Sequence, residues 1–212
     1  DNIASRDDKQ WIRNLAECER LGIPVGVYLY SDATCDRQAQ SELDHILRLI
    51  KGHTFQLPIF IDVEEPGTQN YAPRCCEIVC EGLKANGYTP GIYASLSWFS
   101  NHLGSVRGKY IEWMARYKNL PEDTYKGQYA IWQYSSDGHV DGVSGRVDVN
   151  YCYMEIGGSA TPVTPSTPSK PAEKKDLGQV DITYQAFTDR WLPPVVNKID
   201  WAGKVANYSI KW

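Results

Sequence analysis

The chain has 212 residues, a formal net charge of −4 and a hydrophobic content of 42%, which suits one large globular domain with something smaller beside it. The acidic balance excludes the basic footprint of a nucleic-acid-binding protein. The sequence contains no apolar run of about 18 residues, the length a transmembrane helix needs. We therefore expect neither nucleic acid nor a membrane as a partner. The opening DNIASRDD has no Met and no signal-peptide pattern, which indicates a processed or truncated start.

The six cysteines do not have the spacing of a metal site. No two of them form a CxxC pair and His is scarce, so we expect no zinc site and no cofactor. Cys76, Val79, Cys80 and Leu83 fall at i, i+3, i+4 and i+7. This spacing places them on one helix face and predicts small core residues. The spacing assigns no disulfide pairing.

The first half of the sequence alternates helical and strand patterns. Helices are predicted over residues 11–21, 38–51 and 73–85, with a short one in LSWFSNHL, and strands over residues 23–31, 57–64 and 90–95. Gly22 follows the first helix, as expected of a residue that ends a helix. Such alternation predicts parallel strands joined by crossover helices.

The second half has strands without full helices between them. Three more strands are predicted over residues 110–117, 129–136 and 145–152, with gaps that hold Pro, Gly and polar residues. Six strands with helices only in the first half predict an α/β fold, a partial and uneven (β/α) TIM-like barrel. A complete barrel of this kind needs eight strands.

The remainder of the chain predicts a linker and a small segment. We expect a barrel over residues 1–157, a Pro/Thr-rich linker over residues 158–178, and a β-rich accessory or cell-wall-binding segment over residues 179–212. The linker composition cannot bury a core. The segment opens on VDITYQAF, which alternates like a strand, but it is too short to be stable alone. We therefore interpret it as part of a larger module.

The stretch FIDVEEP, residues 60–66, carries the chemistry. Asp62 and Glu64 are two apart at the end of an apolar strand, so their side chains are expected on one face. Burying carboxylates is costly, and hydrolysis of a glycosidic bond needs two of them. The alternative is a strand end whose acids cap a helix or pair with Arg. Glu65 points the other way and is expected to face solvent or to cap.

Six motifs in order extend this pattern: GIPVGVYLYSDAT, LPIFIDVE, GYTPGIYAS, YIEWMARY, AIWQYSS and RVDVNYC. Together they resemble the family-25 glycoside hydrolases, the lysozymes that cleave N-acetylmuramic acid linkages in peptidoglycan. The resemblance covers about residues 7–152. It implies an eccentric (β/α) barrel with helix-bearing units followed by nearly bare strands, and peptidoglycan glycan strands as the partner. It also implies action outside the cell or at the cell wall, by a secreted or phage-delivered protein.

The resemblance implies roles for individual residues. Glu64 corresponds to the general acid, Asp62 to the group that stabilises charge at the reacting sugar, and Asp148 to the acid of the last strand, with Asn150 beside it. The substrate-binding aromatic side chains correspond to Tyr28, Tyr30, Tyr93, Trp113, Tyr117 and Trp132. The alternatives are an ion pair of Asp148 with Arg146 or Arg116, and core packing for the aromatic residues.

The sequence departs from the family at its start. The family's first strand has the form G-I-D-V-S, with an Asp that lines the active site, and no such stretch precedes Asp7. This chain alone is therefore expected to be nearly inactive. Three functions are weighed: a muramidase, a non-catalytic glycan-binding barrel, and a hydrolase of chitin-like polymers. The DxxDxDxE signature of common chitinases is absent before Glu64.

The spacing of the two carboxyls leaves the stereochemistry open. Residues i and i+2 of a strand lie about 6.6 Å apart. Retaining glycosidases hold their carboxyls about 5–5.5 Å apart, and inverting ones about 6.5–9.5 Å apart. Side-chain tilt covers the difference, and the acetamido group of muramic acid is a third candidate nucleophile, with Asp62 orienting it.

Overall fold

The computed structural model describes residues 7–141 and 143–156, and the backbone of three short tail strands within residues 180–210. These residues fall into two compact units. The first unit comprises residues 7–115 and 154–156, and the second comprises residues 116–141 and 143–153 with the tail strands. The predicted linker, residues 158–178, lies outside the described residues. Within the described part of the chain, every helix is too short or too polar to cross a membrane.

The first unit is a parallel sheet with helices between its strands. Its elements are, in chain order, α1 (Trp11–Leu21), β1 (Val27–Tyr30), α2 (Asp36–Ile50), β2 (Ile59–Asp62), α3 (Ala72–Ala85), β3 (Pro90–Ser95), α4 (Leu96–Asn101) and β4 (Ile111–Ala115). The strands pair in sequence order and all in parallel. The predicted alternation is confirmed. Most strands are shorter than predicted, and β2 ends at Asp62 rather than at Glu64.

Local signals in the sequence fix the helix ends and faces. Gly22 adopts φ 67°, and its N–H donates to the carbonyls at the end of α1, as predicted for a left-handed helix end. Cys76, Val79, Cys80 and Leu83 on α3 are each at most 1% exposed, which confirms them as core residues. All six cysteines are free thiols.

One face of the sheet forms the core of the first unit. Ile59, Ile61 and Ile92 share this face and are almost completely buried, and α3 packs against β2 and β3. α2 and α3 approach closely at Gly82, where a Cβ atom would lie 2.1 Å from Cδ2 of Leu43. The opposite face is left to other side chains, because successive residues of a strand alternate between faces.

The second unit is built on an antiparallel pair. β5 (Ile131–Gly138) pairs with β6 (Val147–Cys152), with two register shifts along the ladder. In the tail, β7 (Val180–Tyr184) and β8 (Val195–Ile199) form an antiparallel hairpin, so the strand predicted in VDITYQAF is confirmed. β9 (Ser209–Ile210) pairs antiparallel with β6, a contact of the tail that the sequence did not predict.

Candidate active site

One row of side chains crosses all four strands of the first unit. Tyr30 of β1 is the register partner of Asp62, Asp62 is the partner of Tyr93, and Tyr93 is the partner of Trp113. Partners in a parallel ladder project from the same face. Tyr30 and Asp62 end their strands, and the carboxyl ends of parallel strands are where α/β barrels place their sites. Four residues that the sequence proposed for one site therefore do share one row.

An aromatic layer supports this row. Tyr93 and Trp113 meet edge to face with ring centroids 4.7 Å apart, and Phe60 contacts Trp113 with centroids 5.1 Å apart. A Cβ atom on Gly91 would lie 2.4 Å from the Phe60 ring, so only glycine leaves room for that ring. Asp62 is 7% exposed, because it stands beside this packed layer.

Tyr30 brings a hydroxyl to the acids. It is 44% exposed, and its O–H donates to Oε2 of Glu65 at 2.6 Å. Burial, followed by the hydrogen bond to Glu65, raises the pKa of the Tyr30 phenol. Negative charges on Glu65, Asp62 and Glu64 raise this pKa further, so all three carboxylates act on one hydroxyl. The phenol therefore remains protonated at neutral pH.

Glu65 corrects one expectation. The alternation of a strand predicts that Glu65 points away from Glu64 and either faces solvent or caps, but its side chain is half-buried and accepts a hydrogen bond from the Tyr30 hydroxyl. The physical reason is that β2 ends at Asp62, so the period of two no longer governs the residues after Val63. In the sequence, the only sign that Glu65 could join the site is that it directly follows Glu64.

Glu42 holds the segment that follows β1. This α2 residue is 3% exposed, and it accepts hydrogen bonds from the Ser31 hydroxyl at 2.7 Å and from the Asp32 N–H at 3.2 Å. The Ser31 N–H in turn donates to the Asp62 carbonyl at 2.9 Å. Glu42 therefore fixes the chain beside the row, and sequence analysis did not single it out.

The second unit presents a polar face of its own. Asp148 and Asn150 lie two apart on β6, and Gln133 of β5 is the register partner of Asn150. All three are at most 4% exposed. The Tyr117 hydroxyl donates to Oε1 of Gln133, while the Tyr117 side chain is 49% exposed. Asp148, Asn150 and Gln133 thus lie together on this face, and Tyr117 is hydrogen-bonded to Gln133. Sequence analysis named all of these except Gln133.

Trp132 does not belong to that face. It is next to Gln133 on β5 and therefore projects to the opposite side, where it is 0% exposed. Its Nε1–H donates to the Arg116 carbonyl at 2.9 Å, and its ring contacts Tyr125 and Tyr151 with centroids 4.9 and 5.4 Å away. The assignment of Trp132 to substrate binding stays a prediction, and the complete burial of the side chain speaks against it.

The remaining predicted residues are also placed. Tyr28 lies two residues before Tyr30 on β1 and is 49% exposed, so it extends the accessible aromatic surface on that face. Arg146, one alternative ion-pair partner of Asp148, pairs instead with Asp137 at 3.1 Å.

Parallel strands that end in carboxyl and aromatic side chains define the class to which this chain belongs, the α/β-barrel proteins. Within that class the chain belongs to glycosyl hydrolases family 25, whose family model matches residues 4–143. The predicted fold class is confirmed by solved structures of similar proteins.

Two solved structures and one sequence relative show the extent of this similarity. The CTP1L endolysin is 27% identical with a TM-score of 0.59, over 68% of this chain and 52% of its own. The autolysin LytC from Streptococcus pneumoniae, solved in complex with a synthetic peptidoglycan ligand, is 29% identical with a TM-score of 0.60, over 68% of this chain and 37% of its own.

The sequence relative is the uncharacterized protein YegX of Escherichia coli (strain K12). It is 27% identical over 146 residues, which cover 68% of this chain and 53% of that protein. The chain thus spans about half the length of the curated relatives it matches.

Proposed function

We propose that this chain is the catalytic part of a lysozyme-type hydrolase that cleaves the β-1,4 linkage after N-acetylmuramic acid in bacterial peptidoglycan. The observation that carries this proposal is that Tyr30 and Asp62 end neighbouring strands as register partners, with Glu64 close enough that its charge acts on the same phenol. Two carboxyls at one strand end beside an aromatic layer are what glycoside hydrolysis requires.

Glu64 is the proposed general acid. It transfers its proton to the oxygen between the two sugars as the bond from that oxygen to the anomeric carbon breaks. Asp62 stabilises the positive charge that develops at the anomeric carbon, and water completes the hydrolysis. Asp62 suits this role because its burial strengthens the field that its charge exerts on a neighbouring sugar.

The other predicted residues are proposed to bind the glycan. Tyr28, Tyr30 and Tyr117 are the exposed aromatic residues of the set, and aromatic rings of this kind provide an apolar plate with a polar tip. Tyr93 and Trp113 form the aromatic layer of the first unit. Asp148 and Asn150 are proposed as the acid and amide contributed by the last barrel strand.

Relatives support the choice of substrate. The matching structures include an endolysin and an autolysin that was solved with a peptidoglycan ligand. We propose the same substrate class for this chain, acting at the bacterial cell wall. We also propose that residues 1–157 carry the activity, residues 158–178 link, and residues 179–212 serve as an accessory segment.

The test is hydrolysis of purified cell walls by the full-length protein. Turbidity clearing, combined with mass spectrometry of the products, is expected to show new reducing ends on N-acetylmuramic acid. New reducing ends on N-acetylglucosamine would contradict the proposed linkage. NMR identifies the anomeric configuration of the first product released. Retained configuration indicates the retaining or acetamido-assisted route, and inverted configuration indicates the inverting route.

A glycan-binding function without catalysis is the second candidate, because the exposed rings of Tyr28, Tyr30 and Tyr117 could contact sugars whether or not the acids react. Under that candidate, oligosaccharides bind but no reducing ends appear. Release of reducing ends from chitin would instead favour a hydrolase of chitin-like polymers.

A further inference from the structure

Glu65 has no part in the chemistry proposed above, but its carboxylate accepts the hydrogen bond that the Tyr30 hydroxyl donates. The Tyr30 O–H points at Oε2 of Glu65, 2.6 Å away, a short bond of the kind that a carboxylate makes with a hydroxyl. A hydroxyl has one donor and two acceptor lone pairs. Because the Tyr30 O–H donates its hydrogen bond to Glu65, the Tyr30 oxygen offers only lone pairs to a ligand.

Glu65 is itself held in place. Its carbonyl accepts hydrogen bonds from the Thr68 hydroxyl at 2.8 Å and from the Thr68 N–H at 3.2 Å, and Thr68 is 6% exposed. The buried Thr68 therefore fixes the backbone of Glu65. A fixed backbone means that the acceptor for Tyr30 is already in place before a ligand binds.

We propose that Glu65 is a positioning residue that makes Tyr30 a specificity-determining acceptor for the glycan. The group that contacts the Tyr30 oxygen is then a donor, a sugar hydroxyl or an acetamido N–H. This inference rests on the proposed function. The charges around the phenol agree with it, because Asp62 and Glu64 lie near the same hydroxyl and a negative environment favours N–H and O–H donors.

A second tyrosine–glutamate pair in the same unit provides a matched control. The Tyr110 O–H donates to Oε1 of Glu81 at 2.9 Å. Tyr110 immediately precedes β4, at the amino end of the strand, whereas Tyr30 and Asp62 lie at the carboxyl ends of their strands. Loss of the Tyr110 bond tests what breaking such a pair does to the protein at a place where no glycan is proposed.

The experiment measures binding of a soluble N-acetylglucosamine–N-acetylmuramic acid tetrasaccharide by calorimetry. The full chain is compared with Tyr30→Phe, Glu65→Ala, the double variant and Glu65→Gln. Tyr30→Phe and Glu65→Ala are each expected to weaken binding by about 5-fold, the scale of one hydrogen bond. The double variant is expected to bind no more weakly than Tyr30→Phe, because Glu65 acts through Tyr30.

Two further variants separate positioning from other effects. Glu65→Gln keeps a carbonyl oxygen for the phenol and is expected to restore binding to near the parent value. Glu81→Ala is expected to leave binding unchanged. Ultraviolet titration of the tyrosines, without any glycan, is expected to show one phenol that ionises at lower pH in Glu65→Ala than in the parent.

The outcomes distinguish this inference from the function on which it rests. If the losses of affinity in Tyr30→Phe and Glu65→Ala multiply in the double variant, Glu65 contacts the glycan itself. If Glu65→Ala binds as the parent does, Tyr30 does not need Glu65 to orient its hydroxyl. Either result overturns the inference and leaves the proposed function intact. A parent chain that binds no tetrasaccharide, at any concentration tested, overturns the proposed function and the inference together.

Discussion

Tyr30 and Asp62 end neighbouring parallel strands as register partners, so the ladder itself brings a hydroxyl beside a buried carboxylate. A slip of one residue would turn Asp62 to the face that holds Ile61. The register is therefore the feature on which the proposed chemistry depends, and the aromatic layer next to Asp62 stabilises that register by packing.

The role of Glu64 is tested by amidation. Glu64→Gln, measured in the full-length protein, retains the shape of the side chain and removes the transferable proton, so turnover of cell walls is expected to fall by at least about 100-fold. Binding of the tetrasaccharide is expected to survive. Glu81→Gln on α3, whose carboxylate accepts a hydrogen bond from Tyr110, is the matched control and is expected to keep parental turnover. Near-parental turnover in Glu64→Gln would remove Glu64 from the mechanism.

The aromatic layer is tested at Gly91. Gly91→Ala places a Cβ atom 2.4 Å from the Phe60 ring, so this ring must shift from its position in the aromatic layer. We expect the free energy of unfolding to fall by about 1–3 kcal/mol, measured by urea denaturation. Gly104→Ala is the control, because a Cβ atom there meets nothing within 4 Å. Equal effects of the two substitutions would contradict the packing described here.

Trp132 and Tyr117 are expected to separate stability from binding. Trp132→Phe leaves a cavity and removes one of the two N–H donors to the Arg116 carbonyl, the other being Lys118 N–H, so it is expected to lower the melting temperature while the tetrasaccharide Kd stays unchanged. Tyr117→Phe removes an exposed hydroxyl and is expected to weaken binding with little effect on melting. Thermal unfolding and calorimetry check both. A changed Kd in a folded Trp132→Phe would return Trp132 to the binding surface.

Glu42 is expected to contribute to stability through the segment after β1. Glu42→Ala leaves the Ser31 hydroxyl and the Asp32 N–H without this acceptor, and we expect the free energy of unfolding to fall by about 2–4 kcal/mol. Asp44→Ala on the same helix removes an exposed bond with Gln40 and is expected to change it by at most about 0.5 kcal/mol. Urea denaturation measures both, and similar values would show that the buried bonds do not hold the segment.

The sequence by itself determined the elements and their order. Apolar periodicity and end signals such as Gly22 depend on neighbours within one helix or strand, so they predicted the helices, six strands of the barrel part and the parallel pairing of the first four. The DxE pair also depends on local spacing, and it placed Asp62 at the end of β2 with Glu64 two residues beyond it.

Only the tertiary structure decided which side chains meet. The sequence named Trp132 and not Gln133, although they are neighbours, because the face that each residue takes depends on the register of β5 with β6. It assigned Glu65 to solvent or to a cap because the strand was predicted to continue past Asp62. Contacts between residues far apart in sequence, such as Tyr30 with Glu65 and Ser31 with Glu42, arise from the packing of separate elements, for which a local pattern carries no signal.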